Sequence, residues 1–153
     1  MTEDALPLSL DARAIVGLTL YGEARGESLD GKLAVLNVIR NRLKLKTWGE
    51  TYRAVCLARK QFSCWNAGDP NRVMLITLAP QTREPAPENR VLRECLFLAL
   101  GVVTDQIVTD NTKGADHYLT RTLYAERPPA WAPQMAVTAT IGNHIFLRAR
   151  KPS

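Results

Sequence analysis

The chain has 153 residues, of which 46% are hydrophobic, and carries a formal net charge of +5 with a pI near 9.4. This size fits one domain, residues 1–153, with a sizeable core. The sequence excludes a membrane-spanning helix of the usual kind, because no apolar run reaches roughly 18 residues.

The positive charge predicts attraction to polyanions, which include nucleic acids, anionic membrane faces and acidic cell wall polymers. No helix-turn-helix, zinc-finger or ribonucleoprotein motif occurs, so we expect neither a nucleic acid partner nor membrane insertion. The three cysteines are an odd number and widely spaced, which argues against a disulfide framework. The first residues lack a basic region followed by a long apolar run, so we expect synthesis in the cytoplasm without a signal peptide.

The first half of the chain predicts helices. Ser9 is placed to cap a helix over 10–25, and Ser28 to cap a second helix over 29–46. The second is apolar almost all round, so we expect it to lie centrally, packed on several sides. Asn37 within it needs a hydrogen-bond partner, either backbone near the loop between the two helices or a position lining a cleft.

The middle of the chain predicts two more helices and a polar loop. A short helix is expected over 51–59, followed over 61–70 by a loop or short strand that is rich in polar and aromatic side chains. A proline-containing irregular segment should then lead into an apolar helix over 88–103. Its predicted buried stripe is Val91, Leu92, Cys95, Leu96, Ala99 and Leu100.

In the last third of the chain, the spacing of apolar residues changes from a helical period to the alternation typical of strands. Strands are expected over 116–120, 135–140 and 144–148, and the Gly142-Asn143 pair between the last two predicts a hairpin turn. The fold class is therefore α+β, a mainly helical core with a small antiparallel β-sheet.

The strongest candidate for chemistry is Glu23, which continues the buried face of the first helix one turn beyond Thr19. Burial disfavours a carboxylate anion, and a carboxyl kept protonated in this way can act as a general acid near neutral pH. Gly22 and Gly26 remove bulk around it, which suits either close approach of a ligand or a helix end. The alternative is a solvated helix terminus with ordinary surface charges.

Two other chemistries have weaker support. Zinc hydrolysis needs about three protein ligands, but the chain has only His117 and His144 and no zinc-binding spacing, so no metal or cofactor is expected. A thiol peptidase would have to combine Cys64 with the adjacent pair Asn143 and His144, which is far from Cys64 in sequence.

Several sequence blocks occur together in a recognisable order. They are Tyr21–Glu27 (YGEARGE), Gly31–Arg42 (GKLAVLNVIRNR), Gln61–Trp65 (QFSCW), His117–Tyr118 and Ile141–Phe146 (IGNHIF). In this order they resemble the spore-cortex-lytic enzyme (SleB-type) cell wall hydrolase family, from about residue 14 to residue 146.

The resemblance implies a lysozyme-like helical core and a peptidoglycan-cleaving activity, with Glu23 as the catalytic acid. It implies cleavage between N-acetylmuramic acid and N-acetylglucosamine by lytic transglycosylation, in which one carboxyl serves as acid and then as base. A hydrolysing muramidase would need a second carboxylate about 5 to 10 Å away. The candidates for it are Glu27, Asp69 and Asp116. Glu27 could instead anchor Arg25 or a backbone amine.

The resemblance also suggests which side chains bind and support the substrate. The expected substrate-binding residues are Gln61, Ser63, Trp65, His117 and Tyr118, and the expected supporting residues are Glu27 and Asn37.

The biological setting predicted from the sequence is host lysis. A basic catalytic domain without a signal peptide or wall-binding repeats is typical of a phage endolysin that reaches the periplasmic wall after release. We expect a monomer acting on peptidoglycan. The open alternatives are a hydrolysing muramidase, an N-acetylmuramoyl-L-alanine amidase, or a basic wall- or nucleic-acid-binding module without catalysis.

Overall fold

The computed structural model describes residues 10–150. Within them the helices are α1 (Ala12–Ala24), α2 (Leu29–Leu45), α3 (Tyr52–Leu57), α4 (Pro70–Leu78), α5 (Arg90–Val103) and α6 (Arg121–Glu126). The strands are β1 (His117–Thr120), β2 (Ala136–Ile141) and β3 (His144–Arg148). Short 3₁₀ turns occupy Ser63–Trp65, Ala79–Thr82 and Ala132–Gln134. The predicted α+β class is confirmed.

The first two helices begin at side-chain caps. Asp11 caps α1 by accepting a hydrogen bond from the Ala14 N–H at 2.8 Å. The predicted cap Ser9 lies outside the described residues. Ser28 caps α2 as predicted, accepting from the Gly31 N–H at 3.2 Å.

The core is built around α1, whose residues from Ala14 to Leu20 are all buried. It packs against α2, α3, α4 and α5. Helix α2 contacts α1, α3, α5 and the sheet, so its predicted packing on several sides is confirmed. Burial of this apolar surface is the main force that stabilises the fold.

Two helices were not predicted. Asp69 and Pro70 read as turn formers, but Asp69 caps α4 by accepting from the Asn71 N–H at 2.8 Å, and Pro70 occupies its first turn. Helix α6 buries none of its residues. It therefore carries no apolar period that a sequence could reveal.

The predicted buried stripe of α5 is partly wrong. Val91 and Leu100 are exposed, whereas Leu98 and Val102 are buried beside the remaining members of the stripe. Helix α5 is apolar over most of its circumference, so its packing against α1 decides which flank faces inward.

The sheet has the order β1-β3-β2, with both pairings antiparallel. The predicted hairpin turn joins β2 to β3, and Gly142 there has a φ of 56°, which glycine adopts readily. Tyr118 pairs with Phe146, and the two lie on the face that packs on Ala34 and Val38 of α2. The sheet thus brings Tyr118 to the helical core.

Among residues 10–150, no helix combines the length and the apolar character needed to cross a lipid bilayer.

Candidate active site

Glu23 lies in the last turn of α1, half-buried, with hydrogen-bond donors on both of its carboxylate oxygens. Oε1 accepts from the Tyr118 hydroxyl at 2.8 Å, and Oε2 accepts from the backbone N–H of Cys64 at 3.1 Å. The Ser63 hydroxyl lies 3.5 Å from Oε2. These contacts orient a carboxyl group that remains partly open to solvent.

The 3₁₀ turn Ser63–Trp65 reaches Glu23 because Gly22 leaves room for it. A Cβ on Gly22 would lie 2.7 Å from Cys64 Cβ and 2.9 Å from a methyl carbon of Leu75. Such distances are well inside van der Waals contact. A Cβ on Gly26, in contrast, would have no neighbour within 4 Å. Gly22 is therefore the glycine of the motif that packing requires.

Tyr118 links the sheet to the helical core at the site. Its ring meets the His144 ring edge-on, with centroids 5.3 Å apart, and lies 5.7 Å from the Phe146 ring. Burial raises the pKa of Tyr118 well above its usual value, and the neighbouring Glu23 charge raises it further. Tyr118 therefore stays protonated and donates to Glu23 across the physiological pH range.

Glu27 faces His144 rather than Arg25. Its Oε1 lies 3.4 Å from His144 Nδ1. The Glu27 side chain also packs closely on Gly31, where an added Cβ would lie only 2.9 Å from the Glu27 Cβ. The Arg25 guanidinium instead donates to Asn71 Oδ1 at 2.9 Å. Arg25 thus turns toward α4 and is not the partner of Glu27, one of the two anchors that the sequence leaves open for it.

Gln61 is held by Arg42, a residue that no sequence pattern assigned to the site. Arg42 donates to Gln61 Oε1 at 3.2 Å and to the Asp116 carbonyl at 2.8 Å. Its guanidinium stacks between the rings of Trp48 and Phe62, 4.7 and 4.9 Å from their centroids. Burial lowers the pKa of Arg42, and Tyr118 and Asp116 oppose that shift.

Trp65 is not an open sugar-binding face. It is buried at 7% exposure, and its indole N–H donates to Thr19 Oγ1 at 2.9 Å. Because both its ring and its polar atom are satisfied inside the core, Trp65 is a packing residue that fixes the turn carrying Cys64 and Ser63.

Asn37 is likewise internal. Its amide donates to the carbonyls of Leu33 and Thr109, and its Oδ1 accepts from Arg40 at 2.5 Å. The predicted need for a partner is met, but by the segment after α5 rather than by the loop between the first two helices. Asn37 therefore ties α2 to that segment and has no contact with Glu23.

The His117 side chain lies on the opposite face of β1 from Tyr118, which contacts Glu23. Its Nδ1 lies 2.8 Å from Asp116 Oδ1, and its ring packs near Trp48 and Trp131. The structure thus separates His117 from its chain neighbour Tyr118, as the alternation of side chains along a strand requires.

The other proposed carboxylates are already engaged. Asp69 caps α4, and Asp116 holds His117 while also lying 3.5 Å from the Ala149 N–H. Of the candidates for a second carboxylate, Glu27 alone is linked to Glu23 through neighbouring side chains. Glu27 contacts His144, whose ring meets Tyr118, and Tyr118 donates to Glu23.

The three thiols are all buried. Burial raises the pKa of Cys56 and of Cys95 to about 12, and burial and Glu23 raise the pKa of Cys64 further. A nucleophilic cysteine needs the opposite shift. Cys64 therefore packs against Gly22 and does not fit the thiol peptidase alternative.

Within residues 10–150, no three His, Cys, Asp or Glu side chains converge in a way that would hold a metal ion.

The fold is similar to that of two solved SleB catalytic domains. The catalytic domain of the germination-specific lytic transglycosylase SleB from Bacillus anthracis superposes with a TM-score of 0.60 at 21% identity, over 93% of this chain and 98% of that one. The catalytic domain of the Bacillus cereus SleB protein gives a TM-score of 0.58 at 21% identity, over 97% of this chain and 98% of that one. No curated protein matches the sequence.

The family model for cell wall hydrolases matches residues 26–147. The chain belongs to this cell wall hydrolase family and is a peptidoglycan-degrading enzyme. The matched range begins at Gly26, so Glu23 lies just before it, and the case for Glu23 depends on its geometry.

Proposed function

We propose that the chain is a lytic transglycosylase that cleaves the bond between N-acetylmuramic acid and N-acetylglucosamine, with Glu23 as its acid and base. The observation that carries this proposal is the carboxyl of Glu23, which Tyr118 and the Cys64 N–H hold through separate oxygens. A positioned carboxyl is the group that general acid catalysis requires.

In the first step, protonated Glu23 gives its proton to the glycosidic oxygen, and the bond from that oxygen to C1 of the muramic acid breaks. The N-acetylglucosamine then leaves with a free hydroxyl, and positive charge develops at C1. In the second step, the Glu23 carboxylate takes the proton from the C6 hydroxyl of the same muramic acid. The C6 oxygen bonds to C1 and closes a 1,6-anhydro ring, which regenerates protonated Glu23 without consuming water.

The surroundings of Glu23 suit its role as the base in the second step. The donors on its oxygens stabilise the anion that exists between the two proton transfers. Tyr118 remains a donor throughout, because its raised pKa keeps the hydroxyl protonated. The engagement of Asp69 and Asp116 elsewhere supports a mechanism with one carboxyl.

A hydrolysing muramidase is the second candidate, and the position of Glu27 favours it. Glu27 reaches His144, whose ring contacts Tyr118, so both glutamates border the same aromatic pair. In that mechanism a second carboxylate activates water or attacks C1, and the product has an ordinary reducing end.

The test is product analysis by mass spectrometry after digestion of purified murein sacculi. Soluble muropeptides ending in 1,6-anhydromuramic acid are the expected result. Reducing-end muramic acid would replace the proposal with the muramidase alternative. Free stem peptides with intact glycan strands would overturn both and favour an amidase.

We also propose that the enzyme acts in host lysis, as expected for an endolysin, on a wall to which its positive charge attracts it. Expression in a bacterial host with and without a separate membrane-permeabilising protein tests this. Lysis only when both are present is the expected result, and lysis by the enzyme alone would contradict dependence on release.

A further inference from the structure

Three aromatic rings lie together beside β1. The His117 ring is between Trp48, at a centroid distance of 5.6 Å, and Trp131, at 4.9 Å. Trp131 is 39% exposed, although it belongs to the largest apolar type of side chain. Its ring therefore contacts His117 while the residue keeps much of its surface in solvent.

The segment that carries Trp131 is firmly attached to the protein. The neighbouring Ala132 is fully buried and packs with Leu119, Met135 and Leu147. The Ala132 N–H donates to the Pro129 carbonyl at 3.0 Å, which closes a turn just before the Ala132–Gln134 3₁₀ turn. A ligand that binds here has little loop ordering to overcome.

His117 adds an oriented polar atom to this surface. Its Nδ1 lies 2.8 Å from Asp116 Oδ1, and the Asp116 side chain is only 3% exposed. The hydrogen bond between His117 Nδ1 and this buried carboxyl group orients the ring and leaves Nε2 for another partner. An apolar ring face beside one oriented polar atom matches a sugar ring, with its C–H face and its rim of hydroxyls.

Arg42 connects this surface to the Glu23 site. Its guanidinium stacks on Trp48 and donates a hydrogen bond to Gln61, which precedes the Ser63–Trp65 turn that contacts Glu23. Arg42 also interacts electrostatically with Tyr118 and Glu23. A polymer seated at Glu23 can therefore extend onto the aromatic surface.

We propose that Trp131, supported by His117 and Trp48, is a subsite that binds a sugar ring of the glycan strand adjacent to those held at Glu23. This inference rests on the proposed function, because it assigns the glycan strand as the ligand. It gives the exposed Trp131 the task of holding the polymer while Glu23 acts on the bond.

The test measures binding of uncrosslinked glycan strands, freed of stem peptides, to the Glu23→Gln protein, which should bind without cleaving. Adding Trp131→Ala should raise the dissociation constant about tenfold, the loss expected for one desolvated aromatic contact. Trp131→Phe should recover most of the affinity. Phe97→Ala is the matched control, since Phe97 is 73% exposed on α5 and should not affect binding.

Circular dichroism of each variant shows whether the fold is intact, and a folded Trp131→Ala protein with unchanged affinity would overturn the subsite. Cleavage of sacculi by the wild type is measured separately. If the wild type cleaves the glycan while Trp131→Ala binds as tightly as its parent, the subsite is wrong and the proposed function stands. A wild type that releases only stem peptides would remove both.

Discussion

The Tyr118 hydroxyl donates a 2.8 Å hydrogen bond to Glu23 Oε1, joining a strand of the sheet to the last turn of the first helix. These residues are distant in sequence, and the packing of the sheet on α2 brings them together. The contact makes the orientation of the proposed acid depend on the docking of the sheet.

Removal of this hydroxyl should slow catalysis without unfolding the protein. A hydrogen bond to a charged group contributes about 1.5 to 3 kcal/mol, so Tyr118→Phe should lower kcat roughly 10- to 100-fold. The rate of sacculus solubilisation measures this. Phe97→Ala serves as the control for an aromatic side chain outside the site, and a Tyr118→Phe enzyme with full activity would contradict the role of the hydrogen bond.

Glu27→Gln separates a positioning role from a catalytic one. If Glu27 only steadies His144 and thereby Tyr118, the variant should lose about tenfold in rate or less, by the weakening of one partly exposed contact, and should still form 1,6-anhydro products. Complete loss of activity together with reducing-end products from the wild type would instead identify Glu27 as the second carboxylate.

The two glycines that flank Glu23 should respond differently to alanine. Gly22→Ala forces a methyl group against Cys64 and Leu75, and overpacking of this kind costs about 1 to 3 kcal/mol of unfolding free energy. Gly26→Ala meets open space and should be neutral or slightly stabilising. Urea unfolding of both variants gives the comparison, and equal stabilities would contradict the packing of the Ser63–Trp65 turn on α1.

The buried thiols should be unreactive in the native enzyme. Burial raises the pKa of Cys56 and Cys95 to about 12, so neither forms a thiolate near neutral pH. Iodoacetamide at pH 8 should leave the native enzyme unlabelled and fully active, and should label all three cysteines after denaturation. Rapid labelling of Cys64 with loss of activity would return attention to a thiol mechanism.

The same shifts predict a loss of stability in alkali. A thiol whose pKa is higher in the folded state than in the unfolded state contributes stability that is complete below the unfolded pKa, about 9. That contribution is lost as the pH rises from about 9 toward the folded value of about 12. Urea unfolding at increasing pH should show the decline, and a smaller decline in Cys56→Ala would assign part of it to that thiol. A stability independent of pH above 9 would contradict the burial of the thiols.

Local signals predicted much of the fold. The Ser28 cap, the hairpin around Gly142 and the approximate spans of α1, α2 and α5 follow from caps, turn residues and apolar periods. Helix α6 could not be predicted in this way, because it buries no residue. Helix α4 had a readable start at Asp69 and Pro70, which turns and helix N-termini share.

The site was harder to predict than the fold because its contacts are long-range. The helical period placed Glu23 on the buried side of α1, but its hydrogen bond to Tyr118 depends on how the sheet packs and has no local signal. Trp65 is an aromatic residue of the type that often binds sugars, yet its indole N–H donates to Thr19 inside the core. Trp131 offers no signal beyond an aromatic residue among prolines, because its contact with His117 joins two separate segments of the chain.

The most direct test of the role of Glu23 compares the rates at which the wild type and Glu23→Gln solubilise purified sacculi. We expect Glu23→Gln to fold, bind sacculi and release no anhydro product above the background of an enzyme-free control. An amide cannot supply the proton that Glu23 gives to the glycosidic oxygen. Wild-type rates from a folded Glu23→Gln protein would contradict the assignment of Glu23 as the acid.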